Sequence, residues 1–124
     1  MLSNLTLKNA AAGNVTYTKL STKGDTSSFE AAGGSEVTGT SLIIKQGLGG
    51  KGIVTGTTVK RTLASFRMRK YNATIGKSLP FTLNLTLTGV VDGTDITAAV
   101  VADGIAAARE LLLTYQSNLL AGEL

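Results

Sequence analysis

The run Phe81-Thr82-Leu83-Asn84-Leu85-Thr86-Leu87-Thr88 decides how the rest of the chain is read. Its strict alternation places Leu83, Leu85 and Leu87 on one side and Thr82, Asn84, Thr86 and Thr88 on the other, the pattern of a strand with one dry and one wet face. Pro80 comes just before it, where a missing backbone donor does little harm to a ladder. The same grammar extends toward the amino-terminus. Ile53 to Lys70 reads as one long strand, in which Gly56 and a shift of apolar phase near Ala64-Ser65 predict a bend or bulge. Thr40 to Gln46 precedes it, with Gly47-Leu48-Gly49-Gly50-Lys51-Gly52 as the hairpin loop between them. Ser28 to Ala31 is a short strand ended by Gly33-Gly34. The runs Leu5 to Lys8 and Val15 to Leu20 flank Ala12-Gly13-Asn14 and predict an amino-terminal hairpin.

After Asp92-Gly93-Thr94-Asp95 the period changes. Val101, Ile105, Ala108, Leu112, Tyr115 and Leu119 follow a four–three spacing, which is a helical seam. Thr94, Asp95 or Thr97 can cap its start, Gly122 can end it, and Gly104 predicts a kink between two helical pieces. Leu111, Leu113 and Leu120 widen the apolar surface beyond one stripe. The expected fold is α+β and a single domain over 1–124, mostly β to residue 91 and helical over 94–121. Burying the large seam side chains contributes on the order of 10 kcal/mol, comparable with the net stability of a domain, about 5–15 kcal/mol. A seam of that weight needs a platform, and the expected one is the sheet of a second copy in a symmetric dimer. The interface residues are then Val101, Ile105, Leu112, Tyr115 and Leu119.

The absence of Cys and His from the sequence excludes disulfides, thiol and imidazole catalysis and the tight zinc ligand sets. No nucleophile–base pair is visible, so the expectation is a protein that is not an enzyme and has no cofactor, metal or small-molecule substrate. With no signal peptide pattern and no apolar run long enough to cross a bilayer, synthesis in a cytoplasm and no membrane partner are expected. The net charge is +4, and its distribution is uneven: from Val37 to Val91 there is no Asp or Glu, while Lys45, Lys51, Lys60, Arg61, Arg67, Arg69, Lys70 and Lys77 all fall there. Such a segment attracts a polyanion. Placed beside Thr82, Asn84 and Thr86, these cations suit RNA, because cations hold phosphates while Thr and Asn reach bases or 2′-hydroxyls. Other motifs are blander. Lys51 is followed by Gly52 rather than Ser or Thr, so the glycine-rich loop is no phosphate cradle. Asp92, Asp95 and Asp103 are read as capping and solvated residues. The Asn-x-Thr triplets at Asn4, Asn14, Asn72 and Asn84 are strand and turn residues.

Taken together, the amino-terminal hairpin, the stretch Asp25-Thr26-Ser27-Ser28-Phe29-Glu30, the long strand pair hinged at Gly47 to Gly52, the strand Pro80-Phe81-Thr82-Leu83-Asn84-Leu85-Thr86 and the Ala/Leu-rich helical end resemble the coat proteins of levivirus-like single-stranded RNA bacteriophages. The resemblance spans nearly the whole chain. It implies a five-stranded antiparallel sheet behind a small hairpin, and one or two helices packing across a dimer partner's sheet. It also implies an icosahedral capsid, usually T=3, around an RNA genome, and translational repression through an RNA hairpin. The virion is the implied location. Asn84 matches the family's RNA-facing Asn, with Thr82 and Thr86 beside it, Thr82 standing where well-known members carry a stacking Tyr. Lys45, Lys60 and Thr62 are expected in neighbouring rows, and Arg67 and Arg69 complete the expected RNA-binding set. A competing reading is a dimeric nucleic-acid-binding regulator that assembles no further.

Overall fold

A computed structural model of the chain describes residues 3–33, 38–51, 58–90 and 94–122. It divides into a sheet unit ending at Gly89 and a helical unit starting at Val90. The sheet unit contains β1 (Leu5–Lys8), β2 (Asn14–Lys23), β3 (Thr26–Ala31), β4 (Gly39–Lys51), β5 (Thr58–Asn72) and β6 (Lys77–Gly89). All six pair antiparallel with their sequence neighbours in the order β1-β2-β3-β4-β5-β6. The expectation of five strands behind a separate hairpin is thus corrected. β1 joins the sheet as its sixth strand, because β2 pairs with β1 over Asn14 to Tyr17 on one edge and with β3 over Tyr17 to Lys23 on the other.

The first turn is held by Asn9, whose Oδ1 accepts from the backbone N–H groups of Ala11 and Gly13 at 3.1 and 2.9 Å. Ala12 takes a positive φ of 61° there, a left-handed conformation that suits Gly better. Further along β2 the register slips between Lys19 and Ser21. Leu20 is the extra residue of this bulge and stands 63% exposed.

Cross-strand partners share a side of a sheet, so the register sorts every side chain. One side carries Tyr17, Phe29, Leu42, Ile44, Ala64, Phe66, Leu83, Leu85 and Leu87. In a flat sheet Tyr17 of β2 and Phe66 of β5 would be about 14 Å apart, three strand spacings, yet their rings meet edge to face at 6.2 Å. The sheet is curled toward its apolar side, and the β1–β2 hairpin lies over the middle strands. That cover leaves Phe29 and Leu42 at 0% and 1% exposure, with Leu5, Leu7, Val15, Ile44, Ala64 and Phe66 packed around them. The core therefore lies between the curled hairpin and β3–β5.

Other boundaries differ from expectation. β4 does not stop at Gln46 but continues to Lys51, paired with Thr58 across a bulge between Leu48 and Gly50; the Gly-rich segment up to Lys51 is strand. Gly56 lies outside the described residues. No irregularity occurs at Ala64-Ser65, since the β5–β6 ladder is unbroken from Lys60↔Gly89 to Asn72↔Lys77. β6 starts before Pro80, which an edge strand tolerates because one row of its donors meets no neighbour.

The helical unit contains α1 (Ala98–Thr114) and α2 (Gln116–Ala121). Of the candidate caps Thr97 holds the start, its hydroxyl accepting from the N–H of Val100 at 3.3 Å. Gly104 lies inside α1, and the break falls at Tyr115 instead. Gly122, at φ 73°, closes α2 as predicted.

Leu42→Ala is expected to lower stability by about 2–5 kcal/mol in urea denaturation, whereas Ala12→Gly is expected to raise it by about 1 kcal/mol. A loss at Leu42 of less than about 1 kcal/mol would contradict the placement of the core.

Candidate nucleic-acid interface

The side of the sheet opposite the core is polar, and the ladders fix its rows. Lys45 of β4 stands beside Leu63 and then Thr86. In the next rows Ile43 is followed by Ser65 and Asn84, and Ser41 by Arg67 and Thr82. At one end Gly47 is followed by Arg61 and Thr88, at the other Gly39 by Arg69 and Pro80. Lys45, Arg67, Arg69, Thr82, Asn84 and Thr86 thus share one surface, as expected.

Lys60 and Thr62 do not. Lys60 is opposite Gly89, and Thr62 is opposite Leu87, on the apolar side. The period-two geometry of β5 makes these neighbours mutually exclusive: if Arg67 faces the Thr/Asn row, so do Arg61 and Ser65, and Lys60 and Thr62 face away. Ser65 is the polar-face residue missed in the sequence, and Arg61, read there only as one of the cations and left out of the expected RNA-binding set, joins it. Parity from Arg67 was the signal for them, obscured by the bulge expected near Ala64-Ser65.

Ser65 Oγ donates to Asn84 Oδ1 at 2.6 Å. This bond uses the amide oxygen of Asn84, an exposed residue, whose NH2 group is a donor suited to an acceptor on a base or ribose. Arg69 is engaged differently, in an ion pair with Glu30 of β3. Arg69 and Glu30 side chains are 15% and 23% exposed, and Arg69 Nε has no partner among the described residues. Glu30 is the one carboxylate that the described strands place on the polar side, and Arg69 neutralises it. Lys45, Arg61 and Arg67 remain exposed on that side. Among the described residues no group of carboxylates could hold a metal ion, and no helix is long and apolar enough to cross a membrane.

Apolar side chains outside the hairpin's cover stay wet: Leu79, Phe81, Leu85 and Leu87 of β6 are 39–53% exposed. The expected interface residues of the helical unit are uncovered as well. Ile105, Tyr115 and Leu119 are exposed and Val101 and Leu112 half-buried, and neither helix has a buried residue.

The fold has solved counterparts. A chain from the virus-like particle of bacteriophage GQ-907 matches with a TM-score of 0.69 at 14% identity, over 95% of this chain and 89% of that one. A chain from the virus-like particle of Beihai levi-like virus 21 matches with a TM-score of 0.59 at 14% identity, over 100% of this chain and 97% of that one. At such identity the likeness is one of fold. No family model and no curated protein matches the sequence.

Removing one partner of a half-buried pair leaves the other charge unpaired. Glu30→Gln is therefore expected to lower stability by about 1–3 kcal/mol, with Glu30→Leu/Arg69→Met recovering most of it. A double variant as unstable as the single one in thermal denaturation would show that the pair does more than neutralise charge.

Proposed function

We propose that this chain is the coat protein of a levivirus-like single-stranded RNA phage, a structural subunit rather than a catalyst. The observation that supports this best is the end-to-end match of its fold to chains of such particles. Two features of the chain agree with it.

The first is unfinished burial. Among the described strands β6 pairs with β5 alone, so a thirteen-residue strand keeps one edge of backbone donors and acceptors open to a further strand. Antiparallel pairing of two β6 edges about a twofold axis joins two sheets into one. The apolar rows of both copies then run together, and each copy's helices lie over its partner's sheet. Val101, Ile105, Leu112, Tyr115 and Leu119 are the helical contacts of that dimer, and Leu79, Phe81, Leu85 and Leu87 are what they cover.

The second is sidedness. With the apolar side roofed by protein, the side bearing Lys45, Arg61, Arg67, Thr82, Asn84 and Thr86 is left for RNA. Many dimers close an icosahedral shell, T=3 in design, with this side turned inward. Each subunit brings a net charge of +4, so assembly neutralises part of the genome's charge and packaging is coupled to it. The same surface of a free dimer binds an RNA hairpin and represses translation. Such a protein is made in the bacterial host's cytoplasm and ends in the virion.

Electron microscopy of the purified chain is expected to show closed particles; dimers alone would favour a nucleic-acid-binding regulator. Arg61→Ala/Arg67→Ala is expected to make the slope of log affinity for single-stranded RNA against log salt shallower by about 1.4, two phosphates' worth. Lys60→Ala/Lys70→Ala, on the other side, is expected to leave it unchanged. Equal slopes for all three proteins would place the RNA elsewhere.

A further inference from the structure

Four of the six aromatic side chains, Tyr17, Phe29, Phe66 and Phe81, lie on the apolar side of the sheet, and Tyr115 ends α1. Tyr71 is different. It is opposite Ser78, in the polar row of β5 that runs Arg61, Leu63, Ser65, Arg67, Arg69, Tyr71, and it is 48% exposed. Its neighbour in that row, Arg69, is drawn across the sheet to Glu30 on β3, away from Tyr71. Pro80, opposite Arg69 and one step diagonal to Tyr71, is exposed too. A flat apolar ring and a proline thus sit about 14 Å along the strand from Arg67, on a surface that is polar and cationic apart from Ile43 and Leu63 in other cross-strand rows.

We propose that Tyr71 is a stacking platform for an unpaired base, and that this end of the cationic surface holds single-stranded rather than duplex RNA. The proposal rests on the RNA-coat reading and adds a subsite to it. Charge selects the occupant. The described residues of β5 and β6 include no carboxylate, and the polar side's one strand carboxylate, Glu30, is already paired. A polyanion with flat apolar faces fits such a surface. Cations spaced along a strand with an aromatic among them are how single-strand binders hold phosphates and bases together. A duplex keeps its bases stacked on one another and offers Tyr71 only backbone and groove.

The test uses the full chain, a labelled ten-nucleotide oligouridylate, and an RNA duplex of the same length. Tyr71→Ala is expected to weaken single-strand binding about tenfold, leave the salt slope unchanged because no phosphate contact is lost, and change duplex binding less than about twofold. Tyr71→Phe keeps the ring and is expected to stay within about twofold of the unsubstituted chain. Independently, oligouridylate carrying 5-iodouracil is expected to crosslink the unsubstituted protein at Tyr71, a readout that stands even if Tyr71→Ala fails to fold. Equal losses on single strand and duplex, no loss on either, or adducts only at other residues would overturn the stacking site and leave the RNA-coat reading intact. Failure of the unsubstituted chain to bind either RNA would overturn both.

Discussion

Everything in this fold depends on how little of its apolar surface one chain can dry. Curling the sheet lets the β1–β2 hairpin bury Phe29 and Leu42, with its own Leu5, Leu7 and Val15, and Ile44, Ala64 and Phe66 of the middle strands, partly buried against them. The hairpin is only four residues wide on its outer strand, and its cover does not reach the β6 row. Each of Leu79, Phe81, Leu85 and Leu87 forgoes part of the roughly 1.5–3 kcal/mol that full burial of a large side chain contributes. The helices are apolar and unburied too. A chain built this way stands to gain by association, and in the proposed dimer assembly is the completion of folding rather than an addition to it.

Sidedness follows from the same strand geometry. β5 places Arg61, Ser65 and Arg67 on one side and Ala64, Phe66 and Met68 on the other by alternation alone. In α1 the acids Asp103 and Glu110 fall on the opposite side of the helix from the seam Val101-Ile105-Leu112. In the proposed dimer, where the seam turns to a partner's sheet, the acids face away from that contact, and in the proposed shell the cations face the genome. One polar charge is spent within the sheet, where Glu30 holds Arg69. That pair makes Arg69 less available to phosphate than Arg61 or Arg67, a distinction that sequence spacing does not carry.

Much of this is legible in the sequence. The Leu/Thr alternation of β6 announced a two-sided strand, the period change after Asp95 announced the helices, and the acid-free stretch announced the cationic surface. What escaped was register and end effects. Gly47 to Lys51 read as a loop because glycine disfavours strands, yet pairing with Thr58–Arg61 holds those residues in the ladder. Gly104 read as a kink, but the helix accommodates it and breaks at Tyr115. The resemblance puts Lys60 and Thr62 in rows beside Lys45, but the unbroken parity of β5 sends them to the other side. Ion pairing between β3 and β5, as in Glu30 with Arg69, spans residues 39 apart in sequence and is invisible to local patterns.

The central claim is that a single chain is incomplete without a second copy. Sedimentation equilibrium over a dilution series, with circular dichroism recorded on the same samples, tests it most directly. Dimers that persist on dilution and lose sheet and helix signal only as they dissociate are the predicted result. A monomer that sediments alone while keeping its secondary structure and a cooperative melt would contradict it.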